Sequence, residues 1–187
     1  FGDAIGLATP YPERVKFLMW KIAKGGCMTN DMRPKRGLTE INICFLCNSM
    51  PEDIMHCLRD CQMASQVWRK ISGHILDASF INASCKQWME LNLRTNKDDD
   101  VWPVNFGVTV YWLWRNRNNT IFNQRGATVA EMIGKISRMV VDIILSDQLH
   151  MKLGLGPNQV TETKLICWKP HLGRKLKLKL HIVSQSS

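Results

Sequence analysis

The chain has 187 residues, enough for one ordinary domain or two small ones and too few for a large multidomain enzyme. Apolar residues make up 45% and charged residues 22%, which argues against wholesale disorder, while 25 Lys plus Arg against 16 Asp plus Glu leave a net charge of +9 that points towards an acidic partner such as nucleic acid. No apolar run approaches the roughly eighteen residues of a membrane helix and no basic-then-apolar leader is visible, so an intracellular protein with no membrane contact is expected, nucleus and cytoplasm being indistinguishable.

From Arg14 to Lys24, Val15, Leu18, Met19 and Ile22 recur at i, i+3, i+4 and i+7, which predicts an amphipathic helix entered after Pro10 and Pro12 and closed by Gly25-Gly26. Residues 25–43 read as irregular. After Cys61, the spacing of Ala64, Val67, Trp68, Ile71 and Ile75 predicts a second helix, weakened at Gly73. A third runs from Lys86 to Leu93, and Asp98-Asp99-Asp100 marks a solvated loop. Residues 101–123 are apolar enough for a mostly buried helix after Pro103, with strand the competing expectation for Gly107 to Trp112, because Val, Thr and Tyr favour it. Thr128 and Glu131 form a capping box, and Val129, Met132, Ile133, Ile136, Val140, Ile143 and Ile144 continue one helical face to about His150.

Gly154 to Asn158 reads as a linker. Lys164, Lys169, Arg174, Lys175, Lys177 and Lys179 then give the tail two thirds of the surplus charge, and Lys175 to Ile182 alternates with the period of a half-exposed strand. The expected fold is mainly α: a small helical module in residues 1–85 with its core at about 12–72, stabilised by the cysteine cluster described next, a helical segment in 86–150, and a linker with a fragmentary strand in 151–187. A start at Phe1 rather than Met suggests a piece of something longer.

Seven Cys is an odd count, and in a reducing compartment a cluster among them is better explained by metal than by disulfides. Cys44-Phe45-Leu46-Cys47 is followed by His56 and Cys61, three thiolates and an imidazole that suit tetrahedral zinc. Cys57 leaves a four-thiolate shell of Cys44, Cys47, Cys57 and Cys61 open, and spacing alone does not separate the two. Either set leaves no position for water, so the zinc would be structural. Cys27, Cys85 and Cys167 look like ordinary thiols, and His74, His150, His171 and His181 lack ligand spacing.

Cys44-x2-Cys47, Glu52, His56, Cys61, Ala64, Val67 and Trp68 resemble the zinc-binding domain that follows the reverse transcriptase in plant LINE-type (non-LTR) retrotransposon polyproteins. Pro12, Val15, Lys16, Phe17 and Trp20 fit the same family's first helix, so the resemblance covers about residues 10–70. It implies zinc on Cys44, Cys47, His56 and Cys61, since the family commonly has an apolar residue where Cys57 stands. Trp112, Trp114, Arg115 to Asn118 and Phe122 resemble the tryptophan-then-Arg-Asn segment that commonly follows. Trp168-Lys169-Pro170, Gly173 and Lys175-Leu176 resemble the entry to the family's ribonuclease H-like domain. There the family continues into Asn and an Asp-Gly pair, whereas this chain has Lys177, Leu178 and Lys179.

A ribonuclease H needs several carboxylates around two metal ions about 4 Å apart, and the tail has no acidic residue beyond Glu162. No catalytic residue and no enzyme activity is therefore expected. The reading is a noncatalytic structural-zinc module of a retrotransposon-derived reverse transcriptase. Lys16, Lys21, Lys24, Arg33, Lys35, Arg36 and Arg59 are the candidate contacts to RNA or DNA, and the partner domains are the reverse transcriptase and ribonuclease H of a longer parent. The alternative is a decayed retroelement fragment that serves only as a structural or protein-interaction module. Trp20 and Trp68 are expected in the core, Trp112-Leu113-Trp114 in helix packing, and Arg115, Arg117 and Arg125 on the surface.

Overall fold

Packing is organised around one long helix, α6 (Val101–Asn123), which is buried nearly all round. The computed structural model describes residues 11–72, 77–94 and 101–152, and these are mainly helical. The expected strand at 175–182, Cys167, the acidic run at 98–100 and the linker fall outside the described residues. In chain order come α1 (Glu13–Ala23), the short α2 (Met32–Lys35), a π-helical turn at His56–Asp60, α3 (Gln62–Ser72), α4 (Ala78–Asn82), α5 (Cys85–Leu93), α6 and α7 (Val129–Lys152).

Helix α1 buries the predicted stripe of Val15, Leu18, Met19 and Ile22. Its end follows from Gly25, which at φ +62° takes the left-handed conformation that costs glycine nothing. Gly26 N–H then donates to Lys21 O at 2.8 Å and Gly25 N–H to Ile22 O at 2.9 Å, satisfying carbonyls that the helix leaves open.

Where strand competed with helix at 107–112, the structure is helical. Val108, Thr109 and Val110 are all buried, so apolar contact on every side outweighs their β preference. Thr109 disposes of its hydroxyl locally by donating to Asn105 O at 2.7 Å. Gly107 lies beneath Tyr11, whose hydroxyl donates to Pro103 O; a methyl at 107 would come within 2.6 Å of the Tyr11 ring. That close approach explains a glycine in the middle of a long helix.

Trp68 on α3 is at the centre of an aromatic core. Its ring lies 5.2 Å from Phe80, 5.7 Å from Trp88 and 5.5 Å from Phe106, mostly edge-to-face or tilted. α7 lies along α6 and α3 and buries Met132, Ile136, Met139, Val140 and Ile143. Buried side chains from Tyr11 to Ile143 join in one cluster. The predicted capping box at the start of α7 is present: Glu131 N–H donates to Thr128 Oγ1 at 3.3 Å, and Thr128 N–H donates to Glu131 Oε2 at 2.7 Å. No helix among the described residues is long and apolar enough to cross a membrane.

Candidate metal centre

The centre is assembled by a tight turn and an irregular helix. Between Cys44 and Pro51 the chain doubles back on itself: Cys44 N–H donates to Met50 O at 2.9 Å, and Ile43 and Pro51 form an isolated antiparallel bridge. Asn48 closes the Cys44–Cys47 turn, donating to Cys44 O at 2.8 Å from a left-handed conformation (φ 53°) that Asn tolerates better than most side chains. Two sulfurs separated by two residues are thereby turned to the same side.

The other two donors come from the π-helical turn. Asp53 Oδ1 accepts from His56 N–H at 2.6 Å and starts the helix. Were the backbone α-helical, side chains five apart would diverge by about 140° around the axis. Instead Cys61 N–H donates to His56 O at 2.8 Å, an i→i+5 bond that widens the turn and brings residue 61 back over residue 56. The carbonyl of Leu58, released by this winding, accepts from Trp68 Nε1 at 2.7 Å, so the turn is tied into the aromatic core.

The ligand atoms of Cys44, Cys47, His56 and Cys61 lie within 4.8 Å of one another. Cys44 Sγ is 3.9 Å from Cys61 Sγ, and Cys47 Sγ is 3.4 Å from His56 Nε2. A tetrahedron with zinc–sulfur bonds of about 2.3 Å and a zinc–nitrogen bond of about 2.0 Å has sulfur–sulfur edges of about 3.8 Å and sulfur–nitrogen edges of about 3.5 Å. The donor set thus fits zinc in number, and the Cys44–Cys61 and Cys47–His56 edges fit it in spacing. Cys57 lies outside this group: it is buried, and loss of water pushes its thiol well up, with the Glu52 carboxylate adding to the effect.

Within the group, the hydrogen bond between Cys44 and Cys61 raises the Cys44 thiol, helped by burial, and lowers Cys61. An ion taking the site must displace the proton held between them. Away from the centre, burial raises both Cys27 and Cys85, as expected of ordinary thiols.

Behind the centre is an element that the sequence reading misplaced. Arg117 is not on the surface; it is 2% exposed on α6 and its Nε donates to the fully buried Glu52 at 3.0 Å. Glu52 Oε1 also accepts from Asn30 N–H at 2.9 Å, and Asn30 Oδ1 accepts from Arg117 Nη2 at 3.1 Å. Asn30 Nδ2 completes the network by donating to Ile43 O at 2.7 Å, one residue before Cys44. The turn that carries two ligands is thus fastened to the central helix by a buried ion pair. Glu52 within the family-like pattern and Arg117 in the Arg-Asn segment were the available signals, but their contact spans 65 residues and no local rule joins them.

The basic candidates separate into groups. Residues 11–40 hold seven basic side chains against three acidic, whereas 41–72 hold three of each, so the surplus lies on α1 and α2 and not on the ligand turn. Lys16, Lys21 and Lys24 belong to α1; Arg33 and Lys35 lie on α2 and Arg36 follows it. Lys16 pairs with Glu13 at 3.0 Å and Lys35 with Asp31 at 2.7 Å, both at the surface where such pairs are weak. Arg59 is placed differently. Its side chain is 12% exposed, paired with Asp60 at 2.6 Å, and donates to Ala83 O at 2.8 Å, so it joins the π-helical turn to the end of α4.

Trp68 is in the core as expected, and Leu113 is buried with Trp112 and Trp114 partly buried against the core. Trp20 is a correction: it is 44% exposed, because the stripe of Val15, Leu18, Met19 and Ile22 fills the buried face and residue 20 falls on the opposite side.

A helical protein with three sulfurs and one imidazole converging from a turn and a helix start belongs to the class of small zinc-stapled modules. Consistent with this, residues 7–68 match the family described as zinc-binding in reverse transcriptase. The chain is also 31% identical over 159 residues to a protein of Arabidopsis thaliana named "Putative ribonuclease H protein", an alignment covering 84% of this chain and 25% of that protein. The chain therefore spans about a quarter of that relative's length. No solved structure matches it.

Proposed function

We propose that this chain is the noncatalytic, zinc-stapled part of a retroelement-derived reverse transcriptase, and that it helps hold RNA or DNA for polymerase and ribonuclease H domains in a longer parent, inside the cell. In this reading Cys44, Cys47, His56 and Cys61 bind a structural zinc ion. The observation that carries it is the convergence of four donors within 4.8 Å in a stretch that matches the zinc-binding family. When bound, the ion supplies a cross-link between the turn and the π-helical segment. Four protein donors complete a tetrahedron and leave no position for a reactive water, which favours a structural over a catalytic role. The name of the Arabidopsis relative supports a ribonuclease H neighbour.

Phosphate contacts are assigned to Lys16, Lys21, Lys24, Arg33, Lys35 and Arg36, where the positive surplus of the first module is concentrated. Arg59 is assigned a structural role because its guanidinium is committed to Asp60 and backbone carbonyls. Nucleic-acid affinity should fall steeply between about 50 and 200 mM salt, with each phosphate contact contributing about 0.7–0.9 to the log–log slope. Replacing Lys16, Lys21 and Lys24 together by Gln should lower that slope by about two to three. A folded chain carrying one zinc that binds no oligonucleotide at low salt would reject nucleic-acid binding and favour a purely structural or protein-interaction module.

A further inference from the structure

Helix α1 has two faces with different chemistry. One is filled by the buried stripe. The other presents Phe17, 61% exposed, and Trp20, which stack on each other with ring centroids 5.8 Å apart and planes inclined by 24°. Two large aromatic rings held near-parallel in water, one turn apart on a rigid helix, gain nothing for the core and leave apolar area uncovered.

Their neighbours are cationic. Trp20 has Lys16 one turn before it and Lys24 one turn after it, and Phe17 has Lys21 one turn after it, with Lys21 Nζ 6.0 Å from the Phe17 ring centre. The carboxylate on this helix, Glu13, is paired with Lys16. Near-parallel rings flanked by ammonium groups match the chemistry of a strand whose bases are unpaired: a base continues the ring stack while its phosphates lie against the lysines. A duplex keeps its bases in its own stack and can use only the lysines. Stacking accepts any base, so this surface would select single-stranded form without reading sequence.

We propose that Phe17 and Trp20 form a stacking platform for unpaired bases, making the module a single-strand-preferring binder. This rests on the nucleic-acid reading above and narrows it to one substrate class.

The test uses the full zinc-loaded chain with two labelled probes, a twelve-nucleotide polyuridine RNA and a blunt duplex of equal length, titrated by fluorescence anisotropy. Phe17→Ala with Trp20→Ala should weaken single-strand binding by about tenfold or more per stacked base, while duplex affinity and the salt slope stay unchanged. Trp20→Phe, which keeps a ring, should retain most of the affinity, and Trp20→Leu, which keeps only apolar bulk, should lose it. All variants should keep one zinc per chain and native helicity, because both side chains lie outside the core. Equal single-strand affinity in the doubly substituted chain would overturn the platform while leaving phosphate binding intact. Absence of binding to either probe by the unaltered chain would overturn both proposals.

Discussion

The ligand turn and the aromatic core solve the same problem with different means. Residues 41–53 contribute few buried apolar side chains, chiefly Cys44, and expose Ile41, Phe45 and Met50. Around α3, α5 and α6 the chain instead packs Trp68, Phe80, Trp88 and Phe106 ring against ring. Burial of aromatic area can hold the second region without help. The first has too little such area, so its order must come from bonds that a short chain can make: metal coordination, and the pair of Glu52 and Arg117. Stability here is unequally distributed, with the most chemically fragile part placed beside the most robust.

Removing zinc should widen that inequality more than any other change. Structural zinc in finger peptides contributes about 10–16 kcal/mol of apparent binding free energy at neutral pH, and binding that requires folding is folding free energy. Chelation, Cys44→Ser or His56→Ala should therefore abolish protection of amides in residues 41–61, measured by hydrogen exchange, while α6 and α7 stay protected. Cys57→Ala should keep one zinc per chain by elemental analysis. If the Cys57 variant lost the metal and the His56 variant kept it, the ligand assignment would have to be reversed.

The buried pair offers a smaller and sharper test. Arg117→Ala leaves Glu52 buried without its cation, and such one-sided removal typically costs about 3–5 kcal/mol. Replacing both residues, with Glu52→Leu and Arg117→Met, should recover much of the loss, because the stranded charge is gone. Urea denaturation of the zinc-loaded proteins would read both numbers. A single variant as stable as the original would show that the turn does not depend on its fastening to α6.

Legibility from sequence followed the range of the interactions. Helices α1, α3, α5 and α7 were readable because their periodic stripes are local, and so was the capping box at Thr128. The Cys44–Cys47 spacing was readable as a chelating turn. Four points needed more than local pattern, because the deciding contact is distant or the local rule is ambiguous. The β preference of Val108 to Tyr111 left strand as a competitor to the helix expected over 101–123, and burial decides for the helix. Arg117 looks like a surface residue until Glu52 is placed against it, and Trp20 looks like core until the neighbouring stripe is seen to be complete without it. Spacing left His56 and Cys57 open and the resemblance favoured His56; the π-helical turn, whose i→i+5 winding no residue in the segment announces, brings His56 beside the three sulfurs.

The smallest expected effect lies at the start of α7 and separates local helix chemistry from both regions compared above. Thr128→Ala removes the side-chain acceptor for Glu131 N–H and should cost about 1 kcal/mol, with zinc content unchanged. Glu131 accepts in return from the Thr128 N–H and hydroxyl, and these bonds hold its carboxyl below the ordinary glutamate value. A carboxylate whose folded value is depressed stabilises the fold above its unfolded value and loses that contribution as pH falls through the folded one. The stability gap between the original chain and Glu131→Gln should therefore be full at neutral pH and shrink below about pH 4. Thermal melts compared across that interval would decide it: a gap independent of pH would mean that the Glu131 charge contributes nothing to the start of α7.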